Sequence, residues 1–453
     1  MPTQNLSSMS DPTKRRLKVS NVRNNITVGD IFFMLLLPTL VWMIFGNFIC
    51  DDLLFYIPTF SFQLRGQRKF YNNIDKNIGI SGSEFFSYFE KATLDLLEKD
   101  SQMPRRVLKE PIKVSLLYDL FEKKVINSNK YDDMYGCLPN TKSIVARLTK
   151  DVNPIPVHSH NDYWRKLPLF EALMYGATSV EADVWNMETN QTLRQDSKSI
   201  WGRNYTLGVA HNEAFLDSCN QNLYSLYTGP LLKMLNQVNC GNDKEIKHGL
   251  FFNSPETTLY FYIDFKSDDN VLTYNLLMKK YLEDLIKAGY VSYYDFEKKA
   301  ITWNPITAIL TGNYPRNLTV LDNGPYGQDQ GQDHIQEGNA ETIRKGYYND
   351  DKRYVFLDAL IHDLGNSIVD STTSITASSS LSQINYSCSG SGVFDEQCAT
   401  NLISTCHKMG LKTRIWGVPS WPRSAESEAW IKHSNDWGSD FFNTDNLEDV
   451  FNI

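Results

Sequence analysis

The feature that most constrains the fold of this chain is a series of short apolar runs that begins after residue 150. Each run has the length of a buried β-strand, and segments with helical periodicity lie between several of them. Such alternation over about 300 residues is typical of an α/β protein with a parallel sheet, and eight strands is the number that a closed TIM-type (β/α)8 barrel needs. The eight runs are IPVHSH (155–160), TSVEADV (178–184), LGVAH (207–211), LYFYIDF (259–265), TAILTGN (307–313), YVFLDA (354–359), KTRIWGV (412–418) and SDFFNTD (439–445).

A second feature is an apolar run near the N-terminus, residues 31–50, which contains no charged side chain. At a rise of 1.5 Å per residue a helix of this length spans roughly 30 Å of hydrocarbon, so we predict one transmembrane helix here. A cleaved signal peptide is the alternative, although its apolar core is usually shorter and followed by small residues at the cleavage site.

Charges around this run predict the topology of the chain. Basic residues dominate the first 30 positions, and Asp51 and Asp52 follow the run, which places the N-terminus in the cytosol and the large domain in the lumen of the secretory pathway or vacuole. A mitochondrial location is the alternative, because an Arg-rich start also suits a mitochondrial presequence. N-x-S/T glycosylation triplets on the C-terminal side favour the lumenal topology; they begin at Asn190, Asn204, Asn317 and Asn385.

The sequence therefore divides into four regions: a basic tail (1–30), a transmembrane helix (31–50), a helical N-terminal extension (51–150) and the barrel (151–453). The net charge of -8 argues against a nucleic-acid partner. Two stretches of biased composition, 322–334 and 371–383, read as flexible loops. Cys388 with Cys398 and Cys219 with Cys240 are plausible disulfides.

Chemically capable side chains lie at the end of five of the predicted strands, most of them as pairs with i, i+2 spacing. Residues i and i+2 of a strand point to the same face, and the carboxyl ends of barrel strands form the active-site mouth. We therefore expect these side chains to converge on one site. They are His158 and His160, Glu181 and Asp183, His211, Asp264 and Lys266, and Arg414 and Trp416.

The residue types predict a metal-dependent phosphodiester site. Glu181, Asp183 and Asp264 offer hard oxygen ligands for one divalent ion, Mg²⁺ or Ca²⁺, which would also relieve their mutual repulsion. His160 and His211 are predicted as general acid and base, and Lys266 as the contact to a phosphate oxygen or to a metal-bound carboxylate. The predicted substrate-binding residues are His158, Asn161, Arg414 and Trp416.

The order HSHNDYW, SVEADVW, VAH and YIDFK resembles the PLC-like phosphodiesterases, which include glycerophosphodiester phosphodiesterases, phosphatidylinositol-specific phospholipases C and sphingomyelinase D. Over its whole length the chain resembles the fungal altered inheritance of mitochondria protein 6 family. The resemblance implies a phosphoric diester hydrolase with a metal held by Glu181, Asp183 and Asp264. It also implies a phosphodiester or phospholipid substrate and, from the sphingomyelinase D-like pair Asp264 and Lys266, a cyclic phosphate product.

One departure from the relatives bears on the substrate. Glycerophosphodiester phosphodiesterases carry His-Arg-Gly where this chain has His160, Asn161 and Asp162, so the arginine that contacts phosphate in that branch is absent. A catalytically degenerate barrel that serves as a binding or scaffolding protein is the alternative function. A scaffold has no need of three repelling carboxylates, which favours the enzyme.

Overall fold

The computed structural model describes residues 80–101, 117–126, 143–188, 205–216, 221–240, 246–323, 345–365, 368–390, 392–419 and 421–450. Leu64–Ile453 form one compact unit. The predicted transmembrane helix at 31–50 lies outside the described residues. Among the helices of the described ranges, none is long and apolar enough to cross a membrane.

The sheet confirms the predicted TIM-type barrel. Eight parallel strands pair in series, and a parallel bridge between Arg414 and Phe441 joins the two ends of the series. The strands are buried over most of their length, as expected for a parallel sheet covered by helices. In order around the barrel they are β1 (Ile155–Ser159), β2 (Ala177–Glu188), β4 (Leu259–Phe265), β7 (Ile306–Gly312), β9 (Val355–Leu360), β10 (Ser374–Ser380), β11 (Lys412–Trp416) and β12 (Phe442–Thr444).

The run LGVAH is a strand, but its predicted place in the barrel is wrong. It forms β3 (Tyr205–Val209), which pairs antiparallel with the end of β2 and with no other barrel strand. β2 is long enough, at 12 residues, to extend beyond the barrel and support this hairpin. Strand length and apolar composition do not distinguish the two arrangements, which is why the sequence pattern failed here.

The Ser/Thr-rich stretch 371–383, predicted as a flexible loop, contains the missing barrel strand, β10. Its hydroxyls are buried rather than solvated, and two of them donate to one carboxylate. Thr376 Oγ1 and Ser378 Oγ lie 3.2 and 2.9 Å from Asp358 Oδ1 on the neighbouring strand. Small polar side chains can therefore line the inside of this barrel, because buried partners satisfy them.

Helices surround the barrel strands, and a small antiparallel sheet lies beside them. The small sheet consists of β5 (Tyr293–Asp295), β6 (Ala300–Thr302) and β8 (Lys352–Arg353). The helices are α1 (Gly82–Ser101), α2 (Ile144–Thr149), α3 (Phe170–Met174), α4 (Gly229–Val238), α5 (Asn270–Leu276), α6 (Glu283–Lys287), α7 (Leu318–Asn323), α8 (Leu381–Ser387), α9 (Glu396–Lys408), α10 (Arg423–Ile431) and α11 (Leu447–Val450).

The described part of the N-terminal extension is helical and packs on the barrel through aromatic side chains. Phe86 on α1 contacts Tyr175 with ring centroids 6.5 Å apart, and Phe121 contacts Phe170 on α3 at 5.0 Å. The fully buried Phe89 joins the same core. These rings explain the apolar spacing that predicted helices in this region.

One predicted disulfide is confirmed: Cys388 is bonded to Cys398, between α8 and α9. Cys240 is also disulfide-bonded, while Cys219, its predicted partner, lies outside the described residues. Cys406 is a free, buried cysteine.

A buried guanidinium occupies the interior of the barrel. Arg414 on β11 is 4% exposed and lies 3.6 Å from Asp358 and 3.7 Å from Glu181. Its Nε donates to Ser378 Oγ at 3.0 Å, and its guanidinium carbon lies 4.7 Å from the centre of the Tyr262 ring. The two carboxylates raise the pKa of Arg414 against the opposing effect of burial, so the cation is held by opposite charges on both sides.

Replacing this cation should destabilise the protein strongly. Arg414→Met leaves two buried carboxylates without their counter-charge, and we expect the free energy of unfolding to fall by about 3–5 kcal/mol. The control is Arg423→Met. Arg423 is 69% exposed, and its partner Asp449 is buried but also accepts from Asn446 at 2.6 Å, so the loss of Arg423 should cost less than about 1 kcal/mol. Denaturant titrations measure both values, and equal costs would contradict the role given to Arg414.

Candidate active site

Three carboxylates meet at the carboxyl ends of β2 and β4. Glu181 and Asp183 are two residues apart on β2, and Asp183 pairs with Asp264 in the parallel register of the two strands. One oxygen from each of the three lies within 4.8 Å of the others. The i, i+2 spacing puts Glu181 and Asp183 on the same face of β2, and the register with β4 adds Asp264 to them.

The electrostatics of this cluster fit a divalent cation. Burial and the charge of Glu181 raise the pKa of Asp183 to about 7, which shows how unfavourable the anionic cluster is without added positive charge. Lys266 supplies part of that charge, because its Nζ lies 2.6 Å from Asp264 Oδ2 and 3.1 Å from Asp183 Oδ2. A hard cation with oxygen ligands would satisfy the rest.

Asn161 and Asp162, which follow His160, have different structural roles. Asn161 adopts a left-handed conformation with φ of 48°, and its backbone N–H donates to Glu181 Oε2 at 3.1 Å. Asp162 is fully buried and accepts hydrogen bonds from the Leu169 backbone N–H at 2.6 Å and from the Tyr227 hydroxyl at 3.0 Å. Asp162 therefore fixes the loop, and the loop in turn holds Glu181.

His160 forms a dyad with Asp445, which follows β12. The distance from His160 Nδ1 to Asp445 Oδ1 is 2.8 Å, and His160 Nε2 lies 3.6 Å from Glu181 Oε2. Burial lowers the pKa of His160, but the hydrogen bond to Asp445 and the charge of Glu181 outweigh it, so the pKa is raised overall. The imidazole is 26% exposed and can therefore meet a ligand at the mouth.

The β2–β3 hairpin, rather than a barrel strand, places His211. Because β3 returns antiparallel along β2, Val209 lies opposite Val184 and the chain re-enters the mouth two residues before His211. His211 Nδ1 is then 3.5 Å from Asp183 Oδ2 and 3.2 Å from the Tyr163 hydroxyl. The two predicted acid–base histidines thus flank the carboxylate cluster.

Three of the four predicted substrate-binding side chains are buried, and the fourth lies at the mouth. His158, Asn161 and Arg414 are 0%, 6% and 4% exposed, whereas Trp416 at the end of β11 is 41% exposed. His158 Nε2 faces Arg414 Nη1 at 2.7 Å, so it accepts from the guanidinium and is a neutral imidazole. Burial and the Arg414 charge accordingly lower the pKa of His158 to about 3.

Two residues of the site were missed by the sequence reasoning. The Tyr163 hydroxyl lies 2.8 Å from Asp183 Oδ2 and 2.6 Å from Asn161 Oδ1, so it ties the first loop to the cluster. Asp445 comes directly after the last strand, at the position where other strands carry site residues. Strand-end position was therefore the available signal for Asp445, whereas nothing in the spacing of Tyr163 indicated its contacts.

Gly312, the last residue of β7, allows Asp264 to reach its place. A Cβ atom on Gly312 would lie 1.9 Å from Asp264 Oδ1, and the glycine has a φ of +71°. A larger residue would therefore collide with the carboxylate in addition to straining the backbone.

Comparisons with known proteins relate this chain to one family. A family profile described as AIM6-like phosphodiesterase domain matches residues 146–200 and 195–326. Altered inheritance of mitochondria protein 6 of Saccharomyces cerevisiae is 43% identical over 389 residues, covering 83% of this chain and 87% of the relative. The protein of the same name from Zygosaccharomyces rouxii is 41% identical over 440 residues, covering 93% and 97%. No solved structure gives a significant match.

Gly312→Ala should weaken cation binding by moving Asp264. We expect about a 10- to 100-fold loss of Mg²⁺ affinity, the range typical of disturbed outer contacts to a metal site. Isothermal titration calorimetry measures it. Gly410→Ala is the matched control, since Gly410 has a φ of +78° with open space around its Cβ position. Equal Mg²⁺ affinity in both variants would show that the close approach to Asp264 has no effect on the cluster.

Proposed function

The chain belongs to the altered inheritance of mitochondria protein 6 family, and we propose on that premise that it is a metal-dependent phosphodiesterase. The observation that carries this proposal is the carboxylate cluster, whose ligand oxygens lie within 4.8 Å of one another, with a histidine on each side. A binding protein gains nothing from this arrangement, because the buried anions repel each other.

Glu181, Asp183 and Asp264 would hold the ion, which we propose is Mg²⁺ or Ca²⁺ because every ligand atom is a carboxylate oxygen. When bound, such an ion polarises a phosphoryl oxygen and offsets negative charge as it develops. Lys266, which bridges Asp183 and Asp264, keeps the remaining carboxylate oxygens paired and presents its ammonium group to a phosphate oxygen.

The two histidines carry the proton chemistry. An attacking hydroxyl forms the new phosphorus–oxygen bond and loses its proton to one imidazole, while the bond to the leaving group breaks and that oxygen receives a proton from the other imidazole. We assign the donor role to His160, because Asp445 and Glu181 both favour its protonated form. His211 is 47% exposed, and its Nδ1 faces Asp183. We assign to it the role of accepting the proton of the attacking hydroxyl.

The attacking hydroxyl in our proposal belongs to the substrate where a neighbouring hydroxyl is available, which gives a cyclic phosphate. The substrate class is a phospholipid or a related phosphodiester. Residues 31–50 would anchor the chain in the membrane that holds such a substrate.

The leaving group offers a direct test of the acid–base assignment. His160→Ala should lower kcat/KM for an alkyl phosphodiester about 10²- to 10⁴-fold, but far less for a 4-nitrophenyl ester, whose leaving group needs no proton. The alkaline limb of the pH profile, which the raised pKa of His160 places above the ordinary histidine value, should disappear in the variant. His211→Ala should slow both substrates alike.

Several outcomes would contradict this mechanism. Chelator-insensitive turnover that survives in Asp183→Asn would exclude the metal site, and equal losses for both leaving groups would exclude His160 as the donor. Label from ¹⁸O-water in the first-formed product would show direct hydrolysis instead of cyclisation. Absence of turnover across a broad phosphodiester panel with either metal would return the protein to the scaffold class.

The lumenal topology is supported by the disulfide between Cys388 and Cys398 and by the exposure of Asn317 and Asn385, because disulfides persist in oxidising compartments. We expect membranes washed with carbonate to retain the protein and a glycosidase to shift its mobility on gels. An unglycosylated protein inside mitochondria would instead support the mitochondrial alternative.

A further inference from the structure

Arg316 lies at the mouth of the barrel, four residues after the end of β7. Its Nη2 donates to the Gly312 carbonyl oxygen at 3.1 Å, and its guanidinium carbon lies 3.8 Å from the centre of the buried Tyr314 ring. These two contacts hold the exposed side chain in one orientation and leave most of its N–H donors unused.

Gly312 also connects Arg316 to the carboxylate cluster. The same glycine whose carbonyl accepts from Arg316 lies so close to Asp264 that an added Cβ would be 1.9 Å from Asp264 Oδ1. Arg316 is therefore a neighbour of the proposed metal site. Its place is on the β7 side, whereas His160 lies on the β1 side, and the strands that carry the cluster, β2 and β4, lie between them.

The other cations of the mouth and interior are paired. Lys266 contacts two carboxylates of the cluster, and Arg414 lies between Asp358 and Glu181. Within the described ranges, by contrast, no carboxylate lies at ion-pair distance from Arg316. The positive charge of Arg316 is thus available to a ligand.

The neighbouring charges of the site balance without Arg316. The three carboxylates and Lys266 leave two negative charges, which one divalent ion cancels, while Arg414 pairs with Asp358 and the protonated His160 pairs with Asp445. No charged residue of the site therefore needs Arg316 as its counter-ion, and its guanidinium can meet an anionic group of a ligand.

We infer that Arg316 binds a second anionic group, a phosphate or carboxylate, on a phosphodiester substrate that extends from the metal cluster towards β7. This inference rests on the proposed function and narrows its substrate class to dianionic phosphodiesters. A planar guanidinium suits such a group, because it donates two parallel hydrogen bonds to carboxylate or phosphate oxygens.

Two substrates that differ by one charge test this role. 4-Nitrophenyl 2-carboxyethyl phosphate and its carboxamide analogue have the same leaving group and nearly the same size. We expect the wild-type protein to prefer the carboxylate, and Arg316→Gln to lower kcat/KM for it roughly 5- to 20-fold while the carboxamide changes less than about twofold. Arg316→Lys should keep part of the preference, since lysine keeps the positive charge but cannot donate two parallel hydrogen bonds to one anionic group.

The control is Arg423→Gln, which removes the same charge from an exposed arginine already paired with Asp449; it should leave the preference unchanged. Equal losses for both substrates in Arg316→Gln, or a lost preference in Arg423→Gln, would overturn the inference.

A binding measurement separates this inference from the proposed function. Titration of inorganic pyrophosphate in the presence of Mg²⁺ requires no turnover, and Arg316→Gln should weaken binding by a similar factor. If the wild-type protein cleaves neither ester but loses pyrophosphate affinity in the variant, the anion site stands and the enzyme proposal fails. Unchanged pyrophosphate affinity would exclude Arg316 as an anion-binding residue.

Discussion

The site depends on one interaction in the middle of the barrel, the contact of Arg414 with Asp358 and Glu181. A buried carboxylate is costly unless a positive charge lies beside it. Arg414 provides this charge, and Glu181, a proposed metal ligand, is thereby kept ionised inside the protein. Burial alone would raise the pKa of Glu181, but the positive charges of His160 and Arg414 lower it well below its usual value.

The barrel interior also shows that a core need not be apolar. Ser378 on β10 donates to Asp358 and accepts from Arg414, so a hydroxyl joins the two charges. Below this polar layer the interior becomes aromatic and aliphatic, with Tyr262, Ile309 and Phe356 in one cluster. The polar layer keeps Glu181 and Arg414 oriented, and the apolar layer contributes the burial that stabilises the fold.

The fold class and most of the site could be predicted because both follow from local periodicity. Seven of the eight predicted barrel strands occupy barrel positions, and the cluster of Glu181, Asp183 and Asp264 was expected from strand-end positions and residue types. β10 was missed because Thr376 and Ser378 have hydrogen-bond partners on the neighbouring strands, which no local pattern reveals. His211 was expected at the end of a barrel strand. It lies at the mouth because the strand before it, β3, pairs antiparallel with β2. The burial of His158 and Arg414 could not be foreseen either, because a strand-end position does not say how deep a side chain lies.

The hydrogen bond between His160 and Asp445 joins residues 285 positions apart, from the first and last barrel strands. During synthesis, a nascent chain that lacks its final segment already contains all three carboxylates, but it has neither the closed barrel nor the dyad. The contact between His160 and Asp445 therefore forms only after β12 has left the ribosome. A product that ends before β12 therefore keeps Glu181, Asp183 and Asp264 but lacks both the closure of the barrel and the partner of His160.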